Sequence, residues 1–352
     1  MQIDFHHAVT YVVARWSGFD HADAATIAYA AQYVDDSTKD HPVVFADGSQ
    51  YARLATAHKM LDPENFEAFA DHISWVPFHF LPGAEGDGTE KLLCVQNSVV
   101  AQTLLARCIA DCHAEGQRAD NALHRLGITA HTYVDTWAHQ KFAGILDAVN
   151  ELSDLCDHQG DVPDAWDAIK DKLAAGLIPH VGHGQALTYP DAPWLKWSYV
   201  NGRGDKVQRD NLDLFVDAAH HLAMFFQRFR LMDSNADVPG LDQIQQNELR
   251  QMFDTLRDDD GGDRHAQWIK TLATTGFKGI EAVQLDYWPD GPQSWKGAAF
   301  GNFDVDIDIA LDEKPPRTAA FDSSDWKKFQ DAAHAHLNLV TAEILPAHGC
   351  TA

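Results

Sequence analysis

Residues 121–144 read NALHRLGITAHTYVDTWAHQKFAG, and this stretch decides the predicted fold. In a helix, each step of four residues turns about 40° around the axis, so His131, Asp135 and His139 fall on one stripe. His124 lies on the same stripe, seven positions before His131. The other side chains are mostly apolar, which indicates burial. The sequence therefore predicts a central helix with two imidazoles and a carboxylate on one face, which is half of a metal site.

The same stripe has a simpler interpretation without a metal ion. A buried histidine is commonly an ordinary core residue, and Asp135 is spaced to pair with a protonated His131 or His139. The metal hypothesis is favoured because an aspartate and several histidines are costly to bury without partners. A metal ion would bind all of them.

The composition describes a globular, acidic and histidine-rich protein. The chain has 352 residues, 45% of them hydrophobic, a formal net charge of −25 and 20 histidines. This length fits one large domain or two small ones. Such a charge repels nucleic-acid duplexes and anionic membranes. A phosphate-bearing substrate would need metal ions or a local Lys/Arg cluster.

The cysteines and the hydrophobic segments of the sequence indicate the cellular compartment in which the protein is expected. The five cysteines are odd in number and form no paired CxxC motifs, so neither a disulfide framework nor a zinc ribbon is predicted. The first residues do not read as a signal peptide, and no run of eighteen apolar residues predicts a transmembrane helix. We expect a cytoplasmic protein, with export by a signal-less route left open. Nothing in the sequence indicates an oligomeric state.

Helical periodicity extends through most of the chain, and we predict an all-α fold, a multi-helix bundle. Asp20 is placed to cap a helix that ends at Asp35 and Asp36, where two acids oppose the helix dipole and suggest a functional role. Residues 40–50 are predicted to form a loop or a short hairpin with Asp47-Gly48 at its turn. Other predicted helices span residues 97–115, 143–155, 163–175, 210–232 and 322–345.

Residues 177–211 interrupt this pattern. They are predicted to form a long irregular loop, rich in glycine, proline and aromatic residues, and such loops are usually functional or disordered. The aromatic side chains favour an ordered, functional loop. We divide the chain into a helical metal-binding domain, residues 1–232, and a smaller C-terminal subdomain, residues 233–352.

The segments AYAAQYVDDS, ATAHKMLD and GITAHTYVDTWAHQKF resemble, in this order, the zinc-dependent phospholipase C and P1/S1 nuclease superfamily. The resemblance covers about the first 220 residues. It implies an all-helical fold with a metal site between central helices and two or three Zn²⁺, other divalent metals being possible. The metal ligands it implies are His6 or His7, Asp35, His58, His131, Asp135, His139 and His183. The chain is also similar to a family of unknown function with DFHH, QYVDD and HxxxDTWAHQ blocks.

The sequence departs from the superfamily pattern in three places. The superfamily's mature N-terminus supplies a tryptophan whose amine and carbonyl bind zinc, whereas this sequence has Met1. Only three residues separate Asp135 from His139, where the superfamily has five with a proline among them. Leu187 stands where the superfamily has its last acid, so Asp191 or Asp36 would substitute. These departures make a two-metal site a further possibility.

The activity that the resemblance implies is metal-dependent hydrolysis of phosphoester bonds, with a small phosphoester or a lipid as substrate. Asp36, or its neighbour Asp35, would serve as base or orient the attacking water. The loop 177–211 would supply the substrate contacts, through cations for the anionic end and aromatic side chains for an apolar wall. These candidate substrate-binding residues are Tyr189, Asp191, Trp194, Lys196, Trp197 and Arg203, with Lys206 as a further cation.

Two alternatives remain open. An HD-type phosphohydrolase also uses helical histidines and aspartates, but it depends on an adjacent His-Asp pair that this sequence lacks. A non-enzymatic binding or assembly protein would use the same residues as a buried hydrogen-bond network. It would carry no stoichiometric metal.

Overall fold

The computed structural model describes residues 1–58, 71–157, 181–306 and 314–350, and helices dominate them. The predicted helix at 163–175 and the loop residue His180 lie outside these ranges. Three stretches have π-helical hydrogen bonding: Asp4–Val9, Asp71–His79 and Leu339–Ile344. The α-helices are α1 (Thr10–Trp16), α2 (His21–Asp36), α3 (Val99–Cys112), α4 (Ala122–Ala138), α5 (Asn211–Leu231), α6 (Gln243–Thr255), α7 (Gly261–Thr274), α8 (Trp295–Phe300), α9 (Ala319–Asp322), α10 (Asp325–Asn338) and α11 (Leu345–Ala347).

The all-α prediction holds only in its coarse form, because the described residues also include two small antiparallel sheets. One is the hairpin of β1 (Val43–Val44) and β2 (Gln50–Tyr51), whose turn contains the predicted Asp47-Gly48. The other has the strand order β3-β4-β5. Its strands are β3 (Leu152–Asp157), β4 (Lys196–Asn201) and β5 (Lys206–Asp210).

The second sheet corrects two predictions. The helix predicted over 143–155 is wrong, because the Asn150 side chain binds the backbone of Ala143 and Ile145 and holds a turn that leads into β3. The loop predicted over 177–211 contains β4 and β5. Buried and less buried residues alternate along β4, as expected for a strand with one covered face.

Helix α2 packs closely along α4, and this contact positions the polar residues of both helices. The Asp20 side chain caps α2 as predicted, by accepting a hydrogen bond from the Asp23 backbone N–H at 2.9 Å. Gly127 permits the close approach, since a Cβ there would lie 2.4 Å from the Ile27 carbonyl oxygen. The carboxyl end of α2 therefore lies beside the last turns of α4.

The C-terminal helices pack directly on the N-terminal ones. Helix α10 contacts α4, and α7 contacts the π-helix Asp4–Val9. The ring of Phe5 lies 5.6 Å from that of Phe215 and 6.0 Å from that of Phe253, within one hydrophobic cluster. The division of the chain at residue 232 stays a prediction. Among the described helices, none combines the length and the apolar character needed to cross a bilayer.

Candidate metal centre

The last turns of α4 carry the polar stripe predicted from the sequence. His131 and Asp135 lie on the helix, and His139 is its C-cap, with its backbone N–H donating to the Asp135 carbonyl at 2.8 Å. All three side chains are buried. His124 is also buried on this stripe, but its Nε2 lies 3.2 Å from Asp325 of α10. The stripe therefore divides into a three-residue set and a separate ion pair.

Asp135 is the centre of a group of buried side chains. Its Oδ1 lies 2.7 Å from the Met1 nitrogen and 3.2 Å from His6 Nε2. Its Oδ2 lies 3.2 Å from His131 Nε2 and 3.4 Å from His79 Nδ1. One carboxylate therefore faces histidines from three separate segments of the chain. We call the whole group the His/Asp cluster; its members are His6, Asp35, His79, His131, Asp135, His139, His183 and Asp191.

His79 is a member that the sequence analysis missed. It ends the π-helix Asp71–His79, and its Nδ1 lies 3.1 Å from His131 Nε2. It follows Pro77 and belongs to no spaced motif, so no pattern in the sequence singled it out. The predicted ligand His58 instead lies at the wall of the adjoining cavity, where its Nε2 is 3.1 Å from Ser74 Oγ.

The acidic pair at the end of α2 divides between two environments. Asp35 Oδ1 lies 3.8 Å from both His79 Nδ1 and His131 Nε2. Asp36 turns away and accepts hydrogen bonds from the Tyr287 hydroxyl and, at 3.1 Å, from Gln32 Nε2. Consecutive helical side chains point about 100° apart, so the two acids cannot both face the cluster.

The pair His6-His7 divides in the same way. The ring of His6 stacks on that of His131 with 3.7 Å between centroids. His7 is directed to α7, where its Nδ1 lies 2.9 Å from Nε2 of His265. Of the two predicted alternatives, the structure places His6 in the cluster and His7 outside it.

A group of three possible metal ligands lies beside Asp135. His139, His183 and Asp191 each offer one ligand atom, and these atoms lie within 4.8 Å of one another. His183 Nε2 is 3.8 Å from Asp191 Oδ2. The structure therefore brings together His139 with both predicted members from the loop region. Two further groups of this kind are His6/Asp35/His131 and His79/His131/Asp135.

The backbone orients four imidazoles of the cluster. A carbonyl oxygen can only accept, so the ring nitrogen facing it carries the proton and the other nitrogen keeps its lone pair. The bonds run from His131 Nδ1 to Ala31, His139 Nδ1 to His79, His79 Nε2 to Thr56 and His183 Nδ1 to Leu187, at 2.8, 2.8, 2.9 and 3.2 Å. Metal-binding histidines are typically oriented in this way.

Burial favours the neutral form of four histidines of the cluster, His6, His131, His139 and His183. It lowers the pKa of His6 and of His131 to about 4, since a charged imidazole would lose its hydration. The pKa values of His139 and His183 are also lowered by burial. Neutral imidazoles at pH 7 are the form that binds a metal ion.

The pKa values of the three carboxylates are shifted in different directions. Burial favours the neutral acid and raises the pKa of Asp35 to about 6. For Asp135 and Asp191, facing histidines and the Met1 nitrogen outweigh burial; the pKa of Asp135 lies well below its usual range and that of Asp191 at about 2. The cluster therefore holds at least two carboxylates at neutral pH.

These residues fit a zinc-type metal ion. Neither ring nitrogen of His6 has a hydrogen-bond partner of acceptable geometry among the described residues, although both are buried. An orphaned buried nitrogen is costly unless it binds something. Neutral imidazole nitrogens with carboxylate oxygens are the donors that zinc accepts.

A cavity of about 280 Å³ opens beside the cluster. Its polar wall consists of cluster members and His58, and its apolar wall consists of Ala57, Trp75, Phe80 and Val181. Of the candidate substrate-binding residues, Asp191 lines this cavity; the other five do not appear among its described lining residues.

Those five residues have other contacts. Lys196 pairs with Asp210 across the β4-β5 hairpin, and Arg203 pairs with Glu90 at 3.4 Å. The aromatic residues pack under the loop: Trp197 donates its Nε1–H to Asn211, Tyr189 lies against Trp197, and Trp194 lies beneath the Arg264 guanidinium.

Comparison with known proteins gave one match, to a protein family. No curated protein and no solved structure matched the chain. Residues 1–344 match the DUF6765 family, which is described as a family of unknown function. The match includes every segment that carries a member of the His/Asp cluster. The chain therefore belongs to the DUF6765 family.

Proposed function

We propose that this protein is a metal-dependent hydrolase of phosphoester bonds, with two or three zinc or other divalent ions at the His/Asp cluster. One observation carries the proposal. Four imidazoles, three of them buried and that of His183 half-buried, each donate one N–H to a backbone carbonyl and keep a second nitrogen for the cluster, where carboxylates face them. Such an orientation is what metal ligands require.

Three groups of residues, two of which share His131, would hold the ions. They are His6/Asp35/His131, His79/His131/Asp135 and His139/His183/Asp191. In this arrangement helices α2 and α4 form the centre of a bundle with the metal site between them. Divalent ions supply two things to phosphoester hydrolysis, a lowered pKa for water and neutralisation of negative charge on the phosphoryl oxygens.

The residues of the chain position the substrate. Trp75 and Phe80 provide an apolar surface that excludes water and contacts an apolar substituent. Asp35 faces the cavity with a side chain 32% exposed, so it is the better placed of the two predicted catalytic acids. A cavity of about 280 Å³ suits a small phosphoester or part of a lipid, and a nucleic-acid duplex would not fit.

The first test is the metal content of protein purified without a metal-affinity tag. We expect two or three zinc equivalents in the wild type and a loss of at least one in Asp135→Asn. The matched control is His124→Gln, because His124 is buried on the same face of α4 but pairs with Asp325 outside the cluster. Its metal content should equal that of the wild type.

Activity is then measured with bis(p-nitrophenyl) phosphate and a phospholipid series. Hydrolysis should need the bound metal, and Asp135→Asn should abolish it. A wild type that carries no metal and keeps its thermal stability in chelator would contradict the proposal. The non-enzymatic hydrogen-bond network would then be the better interpretation.

A further inference from the structure

Arg264 of α7 is a buried cation that the proposed function does not use. It is 1% exposed, and its guanidinium binds Asp4 through two hydrogen bonds, Nε to Oδ2 at 2.7 Å and Nη2 to Oδ1 at 3.2 Å. Nη2 also donates to Gln2 Oε1 at 2.8 Å and to the Asp191 carbonyl at 3.3 Å. Nη1 donates to the Asp258 carbonyl at 2.6 Å. One side chain thus joins three segments of the chain.

Two of these segments carry members of the His/Asp cluster. Asp4 begins the π-helix that carries His6, and Asp191 is itself a member. Helix α7 makes a second contact with the same π-helix, between His265 and His7. Helix α7 is therefore bound both to the segment that carries His6 and to the segment that carries Asp191. Among the described residues, α7 itself supplies no member of the cluster.

We propose that Arg264 is a positioning residue that holds His6 and Asp191 in the arrangement needed for metal binding. That a metal ion binds at the cluster is part of the proposed function, and this inference rests on it. Because Arg264 joins α7 to the segments that carry both residues, docking of α7 and metal binding stabilise each other. Such coupling is reciprocal, so a bound metal in turn holds α7 in place.

The geometry requires the planar fork of arginine. Its three nitrogens reach a carboxylate, an amide oxygen and two backbone carbonyls at once, which a lysine ammonium with three donors cannot reproduce. Lysine keeps the positive charge opposite buried Asp4 and so retains part of the ion pair. Arg264→Lys therefore weakens the positioning while limiting the loss of folding stability.

The test compares Arg264→Lys with Arg53→Lys in the full chain. Arg53 is 5% exposed and pairs at 2.7 Å with Asp306, which is half-buried. It is therefore a second buried arginine with an aspartate partner, but it contacts no described member of the cluster. Cobalt(II) is titrated and its visible d–d absorption is followed. We expect Arg264→Lys to weaken cobalt binding about 10- to 100-fold, the effect of losing an outer partner of metal ligands. Arg53→Lys should stay within about twofold.

Two further measurements separate positioning from stability. Asp4→Leu/Arg264→Met replaces the pair by apolar groups, which can restore stability without restoring the bonds to Gln2 and Asp191. Its cobalt affinity should remain low although its Tm recovers. Hydrogen exchange of the metal-free protein should be faster in residues 1–9 and 188–194 for Arg264→Lys than for Arg53→Lys.

The results distinguish this inference from the proposed function. If the wild type binds cobalt and Arg264→Lys binds it with the same affinity, the positioning role alone is overturned. Equal losses of affinity in Arg264→Lys and Arg53→Lys, or recovery of affinity together with Tm in the double variant, also overturn it. A wild type that binds neither zinc nor cobalt overturns the proposed function together with the inference.

Discussion

Two neighbouring polar regions are built from the same two sequence doublets. His6 and Asp35 face the His/Asp cluster, whereas His7 and Asp36 face a second group. We call this second group the Tyr287 network; its members are His7, Gln32, Asp36, His265 and Tyr287. Each doublet sends one residue to each region because consecutive side chains of a helix diverge by about 100°.

The two regions differ in how their carboxylates are satisfied. Asp36 accepts a hydrogen bond from the Tyr287 hydroxyl and another from Gln32 Nε2. Asp35 Oδ1 instead lies 3.8 Å from two imidazole nitrogens, which is beyond hydrogen-bond distance. A carboxylate that faces lone pairs rather than donors is the arrangement expected of a metal ligand. Donor and acceptor balance therefore separates a candidate metal site from a hydrogen-bond network of similar composition.

The largest expected difference between the regions is in zinc affinity. Asp35→Asn removes a charged ligand, so we expect zinc affinity to fall by more than about 100-fold or one zinc equivalent to be lost. Asp36→Asn should lower it by less than about tenfold. Competition with a chromophoric chelator measures both. Equal losses in the two variants would mean that the doublet is not divided as the structure indicates.

The sequence alone identified the parts of the site that depend on local periodicity. The spacing of His131, Asp135 and His139 requires only that α4 be helical, and the cap at Asp20 requires only a side chain next to a helix start. Local periodicity could not decide whether Asp35 or Asp36 faces the cluster. Helical geometry predicts that they diverge, but only the packing of α2 against α4 decides which one faces inward.

Other parts could not be predicted, because they depend on contacts between distant segments. His79 is oriented by the carbonyl of Thr56 and by His131, 52 positions away along the chain. The positive charge of Lys196 suggested a phosphate-binding residue, but the β4-β5 register places it opposite Asp210. Hairpin register is set by cross-strand packing, which the loop-like composition of 177–211 concealed.

Both regions contain buried histidines of lowered pKa, and the Tyr287 network allows the effect of one of them on stability to be measured. Burial lowers the pKa of His265 to about 4, against about 6.5 in an unfolded chain. Between these pH values the unfolded protein binds a proton at His265 that the folded protein does not. The contribution of His265 to stability is therefore greatest above pH 6.5 and falls as the pH decreases towards 4. His265→Gln should lessen this slope by up to about 1.4 kcal/mol per pH unit.

Urea unfolding at several pH values between 7.5 and 4.5 measures the effect. The His/Asp cluster contributes equally to both proteins, so the difference between their slopes reports on His265 together with its neighbour His7. Parallel curves for the wild type and His265→Gln would show that His265 titrates normally in the folded protein and that the Tyr287 network is open to water.

The smallest expected effect comes from the Tyr287 hydroxyl. Tyr287→Phe removes one donor to Asp36 and leaves the ring packing and the Gln32 bond in place. We expect a loss of about 1 kcal/mol in the free energy of unfolding, typical of a single hydrogen bond with a remaining partner. Zinc affinity should not change, since Asp36 faces away from the His/Asp cluster. Denaturant unfolding and the chelator competition together test this, and a fall in zinc affinity comparable to that of Asp35→Asn would show that the two regions act as one site.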